Sequence, residues 1–194
     1  MKLTRDFYLR PALSVARDLI GKQLVHVTPE GTVKGIIVET EAYLGKADPA
    51  AHSYKAPPTG RTAIQYGPGG YAYIYTIYGL HCCMNVVTNL PQVPEVVLIR
   101  ALEPVDGLSL MASRRRSQNR YALCSGPGKL TQAMGITRAD YGEDLCGDTL
   151  YIEGTGAAPE IAATRRINID YAGEAASYPW RFVWKESPFL SAKI

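Results

Sequence analysis

The chain is short of metal ligands. It has three histidines, His26, His52 and His81, and four cysteines, Cys82, Cys83, Cys124 and Cys146. No two histidines stand four apart on a helix, no cysteines form a CxxC pair, and the adjacent Cys82 and Cys83 would point to opposite faces of a strand. Neither a zinc site nor a metal-dependent hydrolase is expected, and no cofactor is called for. Long apolar runs are also missing: none approaches the roughly 20 residues of a membrane span. The opening "MKLTRDFYLRPALSV" has an acid and a proline where a signal peptide would carry its apolar region. The expectation is an intracellular protein without membrane contact, in the cytoplasm or nucleoid of a bacterium or the nucleus of a eukaryote.

There is no internal repeat and no linker between two halves. A length of 194 residues, 46% hydrophobic and 20% charged, fits one globular domain over residues 1–194. Net charge is only +3, but basic residues cluster in "SRRRSQNR", Ser113 to Arg120, and in "TRR", Thr164 to Arg166. Such clusters suit a phosphate backbone, and they equally suit a solvated helix or loop face.

Pro11 fits the first turn of a helix whose Leu13, Ala16, Leu19 and Ile20 recur near a 3.6 period. The period then changes to two. "KQLVHVT" and "TVKGIIVETEAYLG" flank the turn signal "PEG" and read as an antiparallel pair. Gly45 to Gly70 turns to Ala, Pro, Gly, Ser and Thr, a long loop with little secondary structure of its own, and loops of that length in compact domains are usually functional. "GYAYIYTIYGLHCCMNVVTN" places Tyr71, Tyr73 and Tyr75 on one strand face and Tyr78 near a hairpin tip. "EVVLIRALEP" is a buried strand whose Arg100 must find a carboxylate or an ordered water, because an unpaired buried charge is costly. "SGPGKLTQAMGI" offers Ser125 as N-cap, Pro127 in the first turn and Gly135 as the stop, but lacks the spacing of a nucleotide phosphate loop. "LYIEGTG", "RRINIDYAG" and "RFVWKESP" add strands and turns.

The stretch "VETEAYLGKADPAAHS", Val38 to Ser53, is where chemistry gathers. Strand alternation puts Glu39, Glu41 and Tyr43 on one face and Val38, Thr40 and Ala42 on the other. Charges on one face of a strand usually mean that the face meets water, so the stretch becomes chemical only in the company of other motifs.

Those motifs are "VETEAYLG…DPAAHS", "YIYTIYGLHCCMN", "VVLIRALEPVDGL", "LCSGPGKLTQAMGI" and "INIDYAGEA…PWRF…SPFLS", in that order over nearly the whole chain. In them the chain resembles the alkyladenine, or 3-methyladenine, DNA glycosylases of the mixed α/β type. The resemblance implies an α+β fold: a single domain with a curved antiparallel β-sheet, flanking helices and a protruding hairpin that intercalates into DNA. It implies a base-excision repair enzyme, monofunctional, that flips alkylated or deaminated purines (3-methyladenine, 7-methylguanine, hypoxanthine, ethenoadenine) out of duplex DNA and hydrolyses the N-glycosidic bond, leaving an abasic site. The implied partner is double-stranded DNA with damaged purines, and the protein is expected to act as a monomer.

By the same resemblance Glu41 is the general base for water and Arg100 holds that water with it. Tyr43, His52 and Tyr75 line the flipped-base pocket, Asn85 opposes a guanine amino group, and Ala50 and His52 offer backbone contacts to the purine edge. The Ile167 carbonyl touches the water, Tyr78 fills the gap left in the duplex, and Arg61 stands near the DNA backbone. Glu39 is assigned a structural part. This chain departs from the family pattern in two places: "TGRT", Thr59 to Thr62, replaces a "TPRN"-like run, and Asn168 stands where Gly is usual. Asn tolerates a left-handed backbone better than most residues.

The chemistry is consistent with these assignments. Extruding a nucleotide costs a few kcal/mol, which a plug and a stacking pocket offset. One carboxylate can accept the water's proton and stabilise the oxocarbenium-like sugar. The rival readings are a nucleic-acid-binding module without turnover and an N-glycosidase acting on RNA or nucleosides.

Overall fold

The computed structural model describes residues 1–58, 60–77 and 79–194. The chain opens with a single helical turn, α1 (Arg5–Tyr8), and a second helix, α2 (Ala12–Leu19), with Pro11 at its N-cap. β1 (Gln23–Thr28) and β2 (Gly31–Tyr43) follow and pair antiparallel across the expected turn. β3 (Ala72–Ile77) and β4 (His81–Thr88) form the next hairpin, and β5 (Glu95–Asp106) completes the first run of strands. α3 (Leu108–Arg115), α4 (Pro127–Met134), β6 (Leu150–Glu153), β7 (Ile161–Thr164) and β8 (Arg181–Trp184) make up the second half. The strands join in one open antiparallel sheet with the order β3-β4-β5-β2-β1-β6, and β8 pairs with both β2 and β7. The mixed α/β antiparallel architecture agrees with the expected fold class.

The long strand β2 organises the sheet. Along one edge it holds β5 over most of its length; along the other it holds β1 as far as Ile36 and then β8 from Glu39 to Glu41. Glu39 and Glu41 therefore have a strand on each side, and neither has any exposed surface. The solvent-facing reading of this stretch fails for that reason. The β2–β5 ladder also breaks register: Ile37 pairs with Leu102 and Glu39 with Ala101, then Thr40 pairs with Ile99. Val38 and Arg100 are the residues left over, and such irregularities re-aim side chains. The simple alternation that grouped Val38 with Thr40 and Ala42 is corrected accordingly. Val38 packs with Ala101 and Phe189, whereas Ala42 joins the main core and the Thr40 hydroxyl bonds the Ala16 carbonyl at 2.8 Å.

The main core lies where α2 and α4 cover the sheet. Val15, Ala16 and Leu19 of α2 and Leu130, Ala133 and Met134 of α4 meet Ile37, Ile74, Met84 and Ile99. The N-cap of α4 is Gly126, at a positive φ of 147° that favours glycine, and not Ser125, whose backbone bridges to Ala101. Pro127 and Gly135 take the expected first-turn and stop positions. Residues 45–70 are more ordered than their composition suggested, with 3₁₀ turns at Gly45–Ala47 and Gly60–Tyr66. Gly45 is needed where the chain leaves β2: its φ is 62°, and a Cβ there would sit 2.6 Å from the Pro94 carbonyl oxygen. The "RRINIDYAG" segment holds no strand; Asp170–Ser177 is 3₁₀.

The basic clusters are only partly surface: Arg116, Arg120 and Arg165 are exposed, Arg114 and Arg115 are half-buried, and Arg166 is buried, which corrects the surface reading for that residue. Arg166 is buried and pairs bidentately with buried Asp48, while its guanidinium lies 4.8 Å from the Tyr43 ring and 4.9 Å from the Trp180 ring. Arg114 pairs with Glu30, and Arg115 bonds the Leu123 carbonyl and Gln132. A short run of arginines looks solvated in sequence, but their carboxylate and carbonyl partners come from distant segments. Among the described residues, no helix is long and apolar enough to cross a membrane, and no group of His, Cys, Asp and Glu gathers as a metal site.

Candidate active site

The register break in β5 aims Arg100 at both acids of β2. Its Nε donates to Glu39 Oε1 at 3.1 Å and one terminal nitrogen donates to Glu41 Oε2 at 3.3 Å. Burial alone would lower the Arg100 pKa, but the adjacent Glu41 and Glu39 carboxylates raise it above its usual value. The buried arginine finds two carboxylates, as its burial required.

The two acids differ in their partners. Glu39 accepts four hydrogen bonds: from Arg100, from Arg181 Nε at 2.7 Å, from the Ser191 hydroxyl at 2.8 Å and from the Ser191 backbone N–H at 2.6 Å. Three of these converge on Oε1 and one reaches Oε2, so Glu39 is bound chiefly to Arg181 and Ser191, neither of which lines the aromatic pocket next to Glu41. Glu41 accepts three: from Arg100, from the Tyr43 hydroxyl at 2.8 Å and from the Ile167 backbone N–H at 2.7 Å. It retains capacity for one further donor, which is what a base for water needs. The contact at Ile167 runs through its N–H to the acid, a bond that the expected carbonyl role did not include. Asn168 follows with φ 59°, the left-handed backbone that its side chain tolerates.

Next to Glu41, one hydrogen bond away through Tyr43, a narrow pocket of about 50 Å³ is lined by Tyr43, Ala50, His52, Gln65, Tyr73, Tyr75, Asn85, Val96 and Tyr171. A far larger open groove of about 960 Å³ runs past His26, Leu80, His81 and Arg114. Neither cavity is lined by Glu41 or Arg100 themselves, but only the narrow one is lined by Tyr43, whose hydroxyl bonds Glu41, so the chemistry of the lining and not size marks the candidate site. His52 meets Tyr75 edge to face, with centroids 4.6 Å apart at 79°, while Tyr73 and Tyr75 are tilted at 34° with centroids 5.6 Å apart. Asn85 Nδ2 donates to the Tyr73 carbonyl at 3.2 Å. The Ala50 N–H donates to Asp48 at 3.0 Å and its carbonyl accepts from the Tyr171 hydroxyl at 3.3 Å, so the buried Asp48–Arg166 pair fixes the loop that carries Ala50 and His52.

Of the residues singled out in the sequence, Glu41, Arg100, Tyr43 and Ile167 meet in one hydrogen-bonded group, and Tyr43, Ala50, His52, Tyr75 and Asn85 share one pocket. Arg61 does not line that pocket. It lies on the exposed face of the Gly60–Tyr66 turn, where its charge acts on His52. Tyr78 lies outside the described residues. Gln65, Val96, Tyr171 and the Asp48–Arg166 pair were not anticipated. Tyr73, on the strand face it shares with Tyr75, also reaches the site: its hydroxyl and His52 Nδ1 are 2.8 Å apart.

Burial, and then the nearby Arg61 charge, push the His52 pKa down to about 4. The imidazole is neutral at pH 7. A folded-state value below the ordinary 6.5 means that the unfolded chain binds the proton more tightly. The stability that His52 contributes is thus complete above about pH 6.5 and is lost as pH falls toward 4. An NMR titration should find the His52 midpoint near 4, and Arg61→Ala should move it upward; a midpoint at the ordinary value would contradict the buried setting. Burial also pushes the Tyr43 hydroxyl, beside the Glu41 carboxylate, well above its usual pKa, so Tyr43 remains a hydrogen-bond donor at physiological pH.

The site thus brings together a carboxylate, an arginine beside it and an adjoining aromatic pocket; comparison of the chain with known proteins gives its family. The methylpurine-DNA glycosylase family model matches residues 6–188. The chain belongs to the methylpurine-DNA glycosylase family. Among curated relatives, one from Alkaliphilus oremlandii is 50% identical over 100% of both chains. One from Methanocella arvoryzae is 49% identical over 98% of this chain and 96% of its own. One from Desulfitobacterium hafniense is 45% identical over 99% of each. All three carry the name "Putative 3-methyladenine DNA glycosylase". Membership makes the chain an N-glycosylase, a hydrolase of base–sugar bonds, and places it with base-excision repair.

Proposed function

We propose that the protein excises damaged purines from duplex DNA, drawing the nucleotide out of the helix into the Tyr43–His52–Tyr75 pocket and hydrolysing its N-glycosidic bond with a water activated by Glu41. The observation that carries this reading is the unfilled acceptor position on Glu41, behind the wall of an aromatic pocket. Glu41 takes a proton from the water, whose oxygen forms the new bond to C1′. The C1′–N bond breaks and its electron pair leaves with the base. Arg100 orients the water together with Glu41, and the Glu41 anion stabilises the positive charge that builds on the sugar. A purine alkylated at N3 or N7 is cationic before it leaves, and it gains from the electron-rich faces of the tyrosines. The lining contains no lysine among the described residues, which favours simple hydrolysis to an abasic site over a Schiff-base route. Tyr78, following β3 in sequence, is the candidate wedge that fills the vacated space, and Arg61 the candidate contact to the backbone. The enzyme is taken to work as an intracellular monomer.

The experiment is a glycosylase assay on a duplex with one hypoxanthine or one 3-methyladenine, run beside the same lesion in RNA and as the free nucleoside. Free base from the DNA alone is the expected result. Binding without release would favour a recognition module, and equal release from RNA or nucleoside would move the substrate class. Tyr78→Ala should impair release more in a fully paired duplex than opposite a mismatch that opens easily; an equal loss on both, with a fall in melting temperature, would remove Tyr78 from the wedge role.

A further inference from the structure

Among the described residues that line the pocket, Gln65 alone has a buried side-chain nitrogen with no hydrogen bond. The residue is 1% exposed, on the same face of the Gly60–Tyr66 turn as buried Thr62, as a spacing of three in a 3₁₀ turn requires. Its amide is close enough to the Tyr73 hydroxyl to favour that group's ionised form, and since an amide nitrogen carries two hydrogens at least one is left unclaimed. The other polar side chains of the lining face partners: Tyr43 is bonded to Glu41, His52 to the Tyr73 hydroxyl, Asn85 to the Tyr73 carbonyl and Tyr171 to the Ala50 carbonyl, and the Tyr75 hydroxyl meets Cys83. A buried donor left unmatched costs about 1–3 kcal/mol, and chains seldom retain one without use.

We propose that Gln65 is a specificity residue of this pocket, whose free amide N–H donates to an acceptor oxygen on the extruded base and so favours 6-oxo purines over 6-amino purines. The inference rests on the excision reading above. An exocyclic oxygen accepts the Gln65 hydrogen, whereas an exocyclic amino group brings N–H against N–H and leaves both donors unmet. Sites that hydrogen-bond one group of a substrate discriminate against the analogue lacking it, because the buried partner is then stranded. Hypoxanthine is the simplest 6-oxo probe and 3-methyladenine the 6-amino one.

The test is Gln65→Met, which keeps the length of the side chain and removes the donor. Single-turnover release is measured for hypoxanthine and 3-methyladenine in the same duplex context, with the melting temperature of each protein. The ratio of hypoxanthine to 3-methyladenine release should fall about tenfold, the size of one neutral hydrogen bond. The melting temperature should hold or rise, since an unmet buried donor has been removed. An unchanged ratio, or an equal loss on both bases with a lower melting temperature, would overturn the assignment while leaving the excision reading intact. Release of neither base by the parent protein would instead defeat that reading, and this inference with it.

Discussion

Glu41→Gln should lower single-turnover base release by about 10²–10⁴-fold while lesion DNA still binds, because a glutamine amide keeps the shape of the side chain but cannot take a proton from water. The substitution also disturbs a tightly bonded group. The carboxylate accepts from Ile167, Tyr43 and Arg100, and an amide nitrogen at either oxygen position would face one of those donors. A stability loss of about 1–3 kcal/mol is expected from that conflict. Activity is therefore compared at a temperature where both proteins are folded, with binding read by titration of a lesion duplex. Release at the parent rate would remove Glu41 from the role of base; loss of binding and folding together would leave its role structural.

Glu39→Ala should produce the largest stability loss of any single substitution near the site, about 3–5 kcal/mol, because it strands two buried arginines at once. Glu39 is the common acceptor of Arg100 and Arg181 and also ties down Ser191, 152 residues away in sequence. For a chain of this size the melting temperature should drop by roughly 10 °C. Thermal unfolding followed by circular dichroism checks it. A drop of a degree or two would mean that water or Glu41 takes over both arginines, and that Glu39 is not the post on which Arg100 is hung. Glu39→Gln should cost less, since the amide oxygen still accepts from one of them.

The parts of the structure written in local pattern were legible in the sequence. The β1–β2 hairpin followed from period-two alternation around the "PEG" turn, and the burial of Arg100 in an apolar strand demanded the carboxylates it has. The left-handed backbone at Asn168 was readable from residue type. The register break between β2 and β5 was not, because a one-residue slip is decided by how two strands meet in space, and it moved Val38 to a different packing partner. Arg166 in "TRR" looked like surface because its partner, Asp48, is 118 residues away in sequence, and nothing near either residue announces the pair. Gln65 was lost in a polar, glycine- and proline-rich stretch whose composition suggested an open loop and not a buried wall. The different partners of the two acids, Arg181 and Ser191 for Glu39 against Tyr43 and the Ile167 N–H for Glu41, exist only in the folded chain.

The central claim, that the Glu41 pocket hydrolyses the base–sugar bond, is tested most directly by counting products. A duplex with a single hypoxanthine is incubated with excess protein, and the free base and the DNA strand are both measured by mass spectrometry. Free hypoxanthine is expected in step with an unbroken strand that carries one abasic sugar, both formed at least about 10²-fold more slowly by Glu41→Gln. A strand cut by the protein itself, or free base released at equal rates by the parent and by Glu41→Gln, would contradict it.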